Sequence, residues 1–298
     1  MNRHSNTVLA WWIAVAGMIV TSAAAARADE TYPAHYVPPI SNPLFNETPE
    51  IRTEIRPFYI FNRIPNGFPS DGGYINVVGL QLRYAVTERI GVFINKNGYV
   101  DVHFSELFPD ASGPANVSFG GKYAFIAQPD GNTYLTAGLS YEAAVGDVSS
   151  GVIDLQGGGK GFFRPFLSWG ATVGERTGIE TNAGFNLAVN RDHDTSSFVY
   201  SFHVDHEVFD DWFVVLEGNL MTTIDQADRT NSAAIGTFEG YDLFNFGSTQ
   251  SGTVADLAVG ARYRLTDHIL FGAAFQFPVT GRKDILGERL TLDMSYHF

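Results

Sequence analysis

The chain has no cysteine. No disulfide can brace it, so its strength must come from hydrogen bonds and packing, which is unusual for a small secreted scaffold. Beyond its first residues it also lacks any uncharged apolar run near the roughly 20 residues that a membrane-spanning helix needs. That leaves a soluble exported chain, or one that crosses a membrane as strands. Basic residues are scarce: 19 Lys and Arg stand against 32 Asp and Glu, for a formal net charge of -13. An acidic chain is a poor partner for nucleic acid, whose phosphates call for cations. Helical periodicity is hard to find, and Gly157-Gly158-Gly159 has no Lys-Ser/Thr after it, so it reads as a loop and not as a phosphate cradle.

What is present begins with the N-terminal segment. Arg3 and His4 open it, Val8 to Val20 is uncharged and apolar, and Ala26-Arg27-Ala28 closes a stretch of small residues. Basic start, short apolar run and small-residue site describe a secretory signal peptide over residues 1–28, cut after Ala28. The apolar run would rise only about 20 Å as a helix, short of a bilayer core of about 30 Å. Residues 29–50 then carry Pro33, Pro38, Pro39, Pro43 and Pro49, which predicts an extended arm without regular structure.

From residue 51 to 298 apolar and polar residues alternate with period two, in segments separated by polar turns. The last segment shows it best: Leu290, Leu292, Met294, Tyr296 and Phe298 fall on one face, Thr291, Asp293, Ser295 and His297 on the other. Residues 195–207, 212–225 and 252–265 repeat the pattern. Strands are expected at 51–62, 73–86, 90–101, 116–127, 133–146, 161–173, 178–190, 195–207, 212–225, 252–265, 269–281 and 286–298. With the N-terminus in the periplasm, the periplasmic turns 87–89, 128–132, 174–177, 208–211 and 266–268 are all short. Four of the six connections opposite, 63–72, 102–115, 147–160 and 226–251, are long. Short turns on one side and longer loops on the other mark an outer-membrane barrel. Aromatic residues beside the turns, such as Phe209, Trp212, Tyr134 and Phe271, suit the headgroup level. A β-sandwich is the competing fold, but its thin core does not accommodate so many charges on alternate faces, and its strands are usually nearer 5–6 residues. The fold expected is therefore all-β: a transmembrane antiparallel barrel of about twelve strands in an up-and-down meander.

By these features the chain resembles a Gram-negative outer-membrane protein, with Phe298 on the last strand similar to the terminal aromatic read by the barrel-assembly machinery. More narrowly it resembles transporter-like barrels grouped with the phenol-degradation MetA-pathway family. The stretches carrying this are Tyr36-Val37-Pro38-Pro39, Thr87-Glu88-Arg89-Ile90-Gly91, Lys96-Asn97-Gly98-Tyr99 and Val259-Gly260-Ala261-Arg262-Tyr263-Arg264-Leu265-Thr266-Asp267. The resemblance implies an outer-membrane location, contact with the bilayer and lipopolysaccharide, and uptake of small, apolar molecules. It brings no cofactor and no transferable site residue.

Parity assigns to the lumen the cations Arg56, Arg83, Lys122, Arg164, Arg262, Arg264 and Arg289. The acids Glu142, Glu180, Asp205, Glu207, Glu217, Asp256 and Asp293 join them, with His203 beside Asp205 and Glu217. Facing lipid would cost an Arg or Lys about 2–4 kcal/mol at mid-bilayer. Such charges either hold the barrel in shape through salt bridges or orient a permeating solute. His203 with Asp205 and Glu217 lacks metal-ligand spacing and reads as structural hydrogen bonding; no metal site is expected. Two readings stand beside a channel. One is a lipid-cleaving enzyme, for which His103-Phe104-Ser105 has the spacing but no evident partner. The other is a closed structural barrel. Loop 226–251, with Asp228, Glu239 and Asp242 after Asp225, has three readings: an inward constriction, a site for divalent ions bridging lipopolysaccharide, or a solvated surface loop, the last being the one expected. The arm is expected either to plug the periplasmic mouth or to pack on the rim.

Overall fold

A computed structural model of the chain describes residues 36–128, 133–157, 159–227 and 235–298. The signal segment, its cleavage site at Ala28, residues 29–35 of the arm, the 129–132 turn and Asp228 lie outside them. Every regular element among the described residues is a strand. In order these are β1 (Glu54–Ile64), β2 (Gly73–Ala85), β3 (Ile90–Lys96), β4 (Tyr99–Phe104), β5 (Ala111–Pro114), β6 (Val117–Gln128), β7 (Thr133–Ala143), β8 (Ser149–Ser150) and β9 (Ile153–Asp154). They continue as β10 (Phe162–Val173), β11 (Thr177–Ala188), β12 (Ser196–Phe209), β13 (Trp212–Asp225), β14 (Thr253–Thr266), β15 (Ile269–Pro278) and β16 (Arg289–His297).

Twelve of them close an antiparallel ring. Each pairs with its neighbour in chain order, and β1 pairs with both β2 and β16, so no edge is left. Closure satisfies every inter-strand backbone group, the condition for crossing lipid as strands. All twelve expected segments fall on ring strands. The expected third strand, 90–101, is broken: β3 ends at Lys96, and β4 runs on beside the first half of β2. Gly98 makes the break, with φ at +114° and no room for a Cβ against Val78. The expected loop 102–115 holds the end of β4 and all of β5, which lengthen this wall beyond the ring.

The side chains are sorted inside out relative to a soluble protein. Outward positions hold exposed Val92, Phe119, Leu139, Phe163, Leu167, Trp169, Val214, Leu216, Phe275 and Leu292. The alternate positions hold buried Gln81, Arg83, Ser168, Asn182, His203, Glu217, Arg262 and Asp293. An apolar band around a polar interior is what a lipid-facing barrel requires and what a sandwich cannot offer. At the end bearing the short turns, Asp210 and Asp211 join β12 to β13, with Asp211 at φ +67° as a tight hairpin demands.

Candidate functional site

The lumen has two layers. Toward the short-turn end the inner wall is charged: Arg56, Arg83, Lys122, Glu180, His203, Asp205, Glu217, Arg262 and Asp293 are all buried there. Glu142, Arg164, Asp256 and Arg289 are equally buried but sit near the long-loop ends of their strands. Around and above them lies an apolar cluster that includes Phe58, Ile60, Ile64, Phe68, Ile75 and Phe104 from the wall and its loops. Two of the residues assigned to the lumen by parity belong elsewhere. Arg264 is at the rim, its guanidinium 4.8 Å over the Phe213 ring and 3.8 Å from the Asp211 carboxylate. Glu207, near the last turn of β12, is only half-buried. Both strands are about to turn at that depth, so the alternation no longer implies enclosure.

The Pro-rich arm fills the charged layer. Residues 36–50 pass inside the ring toward the short-turn end and not over its rim, and nearly all are buried. An extended Pro-rich chain has few internal hydrogen bonds, so its carbonyls must find donors elsewhere. The wall supplies them. Arg262 donates from Nε to the Pro38 carbonyl at 2.6 Å and from Nη2 to that of Pro39 at 3.1 Å. Arg56 donates to Pro39, Gln81 to Pro43 and Thr136 to Pro49. Asp293 sits between Arg56 and Arg262 and pairs with both. On β13, the strand next to the one that carries Arg262, Glu217 accepts the amides of Ile40 and Ser41 at 2.7 and 2.6 Å. The same carboxylate accepts from His203, whose other ring nitrogen is 3.2 Å from Asp205. The trio is thus drawn together as its spacing across the hairpin suggested, and it works as a clamp on the arm.

One arm side chain takes a larger share. Glu47 meets Arg83 through two bonds, Nε to Oε1 at 2.9 Å and Nη2 to Oε2 at 2.7 Å, and Lys122 through a third at 2.9 Å. Its own carbonyl accepts from Ser168 and Asn182 at 2.7 and 3.0 Å. Arg83 also pairs with Glu54 at 2.7 Å. Glu47 and Glu54 were not singled out in the sequence. Parity marks which side chains point inward, but says nothing of a segment that lies across the lumen.

Among the described residues the long loop folds inward as well, the reading that was not favoured. From Ile235 to Ser248 it places Tyr241, Leu243, Phe244 and Phe246 in the apolar layer. Asp242 pairs with Arg289, Tyr241 donates to Asp256, and Glu239 accepts from Thr195 and the Phe246 amide. Burial next to Asp256 pushes the Tyr241 phenol well above its usual value. A solvated loop would leave those aromatics in water; inside, they cover the apolar wall. Glu142 gathers Lys96 at 2.7 Å and Arg164, while Arg164 stacks 4.2 Å over Phe45 of the arm.

His103 and Ser105 do not assemble a catalytic pair. His103 lies on β4, its Nδ1 2.8 Å from Asp110 and its Nε2 3.0 Å from Asp101. Both ring nitrogens are thereby committed to surface carboxylates, and among the described residues no bond joins them to Ser105.

No protein-family model and no curated protein matches the chain. Solved structures do. An outer-membrane channel from Pseudomonas putida F1 is similar, at 13% identity and a TM-score of 0.57, over 88% of this chain and all of that one. The translocator domain of the autotransporter NalP from Neisseria meningitidis is similar at 12% identity and a TM-score of 0.52, over 87% and 92%. At such identities the likeness establishes the barrel fold.

Proposed function

We propose that this chain is an outer-membrane channel for small molecules, without enzymatic activity, whose resting lumen is occupied by its own arm and long loop. The observation that carries the reading is how the lumen is filled. A purely structural barrel closes with wall side chains packed on one another. Here the filling is two segments, the arm leading into β1 and the long loop joined to β13 and β14, both tied to the wall by hydrogen bonds and ion pairs. Such a filling can leave without unmaking the ring. The apolar lining toward the long-loop end favours solutes with an apolar body, in keeping with the resemblance to the phenol-degradation MetA-pathway group. That end would face the outside, with lipopolysaccharide around it, and Phe298 would serve assembly into the membrane.

The purified protein in planar bilayers should conduct ions in bursts as the filling moves, and in liposomes it should speed entry of small solutes. A barrel that stays silent in both, under applied voltage and with partially released filling, would leave the closed structural reading standing instead.

A further inference from the structure

We propose that Arg83 and Lys122 form a carboxylate-binding site for the permeating solute, and that Glu47 occupies it as an internal stand-in. The inference rests on the channel reading above and names the solute class: a monocarboxylate with a compact apolar body.

Three observations converge. First, the wall presents a ready-made oxyanion site. Arg83 on β2 meets Glu47 fork to fork, and Lys122 on β6 reaches the Oε1 atom that Arg83 Nε also holds. A planar two-bond match is the geometry of guanidinium with carboxylate. Both cations are buried, so neither can be left facing an empty low-dielectric space without a large cost. When the arm withdraws, Lys122 loses both its Glu47 carboxylate partner and its bond to the Thr48 carbonyl. The two cations then face the opened lumen, where an anion can take the place of Glu47.

Second, the charge is matched to a monoanion. Arg83 and Lys122 bring two positive charges, and Glu54 on β1 already meets one of them through Arg83. One positive charge is left for Glu47 to neutralise, or for its replacement. A dianion would overcharge the site beside Glu54.

Third, the arm displays the rest of the ligand. Leu44 belongs to the apolar cluster of the lumen, and Phe45 packs against it, three and two residues before Glu47. The stretch Leu44-Phe45-Asn46-Glu47 therefore places an apolar group on the apolar layer and a carboxylate on the charged layer. A small amphipathic acid arriving from the long-loop end meets the same two surfaces in the same order. Arm and solute compete for one site, so the solute that fits is also the solute that displaces the filling.

The test uses the full mature chain in detergent, with hexanoate as probe and hexanol and hexanedioate as controls, read by titration calorimetry. Competition with Glu47 lowers the apparent affinity by the fraction of molecules whose arm has vacated the site. Glu47→Gln removes the competing charge, and hexanoate should bind it roughly tenfold more tightly than the unaltered chain. Hexanol and hexanedioate should gain little. Adding Lys122→Gln to Glu47→Gln should reverse the gain, with heat-modifiable migration confirming an intact barrel. Equal affinity for hexanoate and hexanol in Glu47→Gln, or a gain that survives loss of Lys122, overturns the proposal. Binding is read without conduction. A protein that binds hexanoate in this pattern but never conducts upholds the site and refutes the channel.

Discussion

Arg289 and Asp242 meet side by side, Nη1 to Oδ2 at 2.6 Å and Nη2 to Oδ1 at 2.7 Å, with both side chains sealed from solvent. The pair ties the inward loop to the first residue of β16. With Tyr241 on Asp256 and Glu239 on Thr195, it fixes the long loop to the barrel.

Breaking it on one side should be costly. Asp242→Asn leaves a buried guanidinium with only Asn62 and polar neighbours, and the expected loss is about 3–5 kcal/mol. Urea unfolding followed by tryptophan fluorescence measures it. Replacing both partners by apolar residues should recover most of the loss. If the single variant is as stable as the parent, the loop is not anchored there.

Glu217 offers a cleaner handle on the arm. Glu217→Gln keeps the shape of the side chain but removes the charge that holds the Ile40 and Ser41 amides and His203. Hydrogen bonds to a charged group contribute about 1.5–3 kcal/mol each. The variant should loosen the arm without opening the ring: faster exchange of the 40–42 amides, more frequent conducting events, and unchanged exchange in β13. Exchange that rises equally in arm and strand would show a general loss of structure instead.

The connection between β15 and β16 should respond to acid. Burial pushes the Asp284 carboxyl up to about 6, with Glu239 adding to the rise and Arg282, 2.8 Å away, opposing it. Its folded value lies above its unfolded one, so the folded loop binds the proton more tightly. Stability from this group is present below about pH 4 and is lost as pH rises through 6, by about 3 kcal/mol at most. Amide exchange over 282–287, corrected for its intrinsic pH dependence, should be slower at pH 5 than at pH 8. Asp284→Asn should flatten the difference; a difference that persists assigns the response to another group.

The ring itself was legible because lipid outside and charge inside impose alternation, clearest in β16 (Arg289–His297) and β11; in β1 and β2 the period survives although Phe58, Ile60, Ile64, Ile75 and Val77 point inward. The lengths of the connections were legible for the same reason. The filling was not. Loop 226–251 is polar enough at Asp228, Glu239 and Asp242 to pass for a surface loop, and it is pairing with Thr195 and Arg289 that makes the Glu239 and Asp242 charges interior. The arm was read as an extended segment without regular structure; residues 36–50 hold no helix or strand but turn at Asn42, whose carbonyl accepts from Phe45 and Asn46, and composition does not say where such a segment lies. The break at Gly98 went unseen because alternation continues through Tyr99 to Phe104. The glycines opposite Phe58, Phe93 and Phe166, at Gly79, Gly120 and Gly138, are likewise interpretable only once register is known: each leaves room for an inward-pointing ring to lie flat on the neighbouring strand.

The grip on the Pro-rich segment runs mostly through peptide oxygens, at Pro38, Pro39, Pro43, Thr48 and Pro49. Peptide oxygens are common to all residues. Such positions are free to drift in identity as long as the backbone stays drawn out, whereas the donors that reach them are fixed. Two barrels of this build can therefore share a stopper while their N-terminal sequences have diverged almost completely, and the shared trait will be found in the wall.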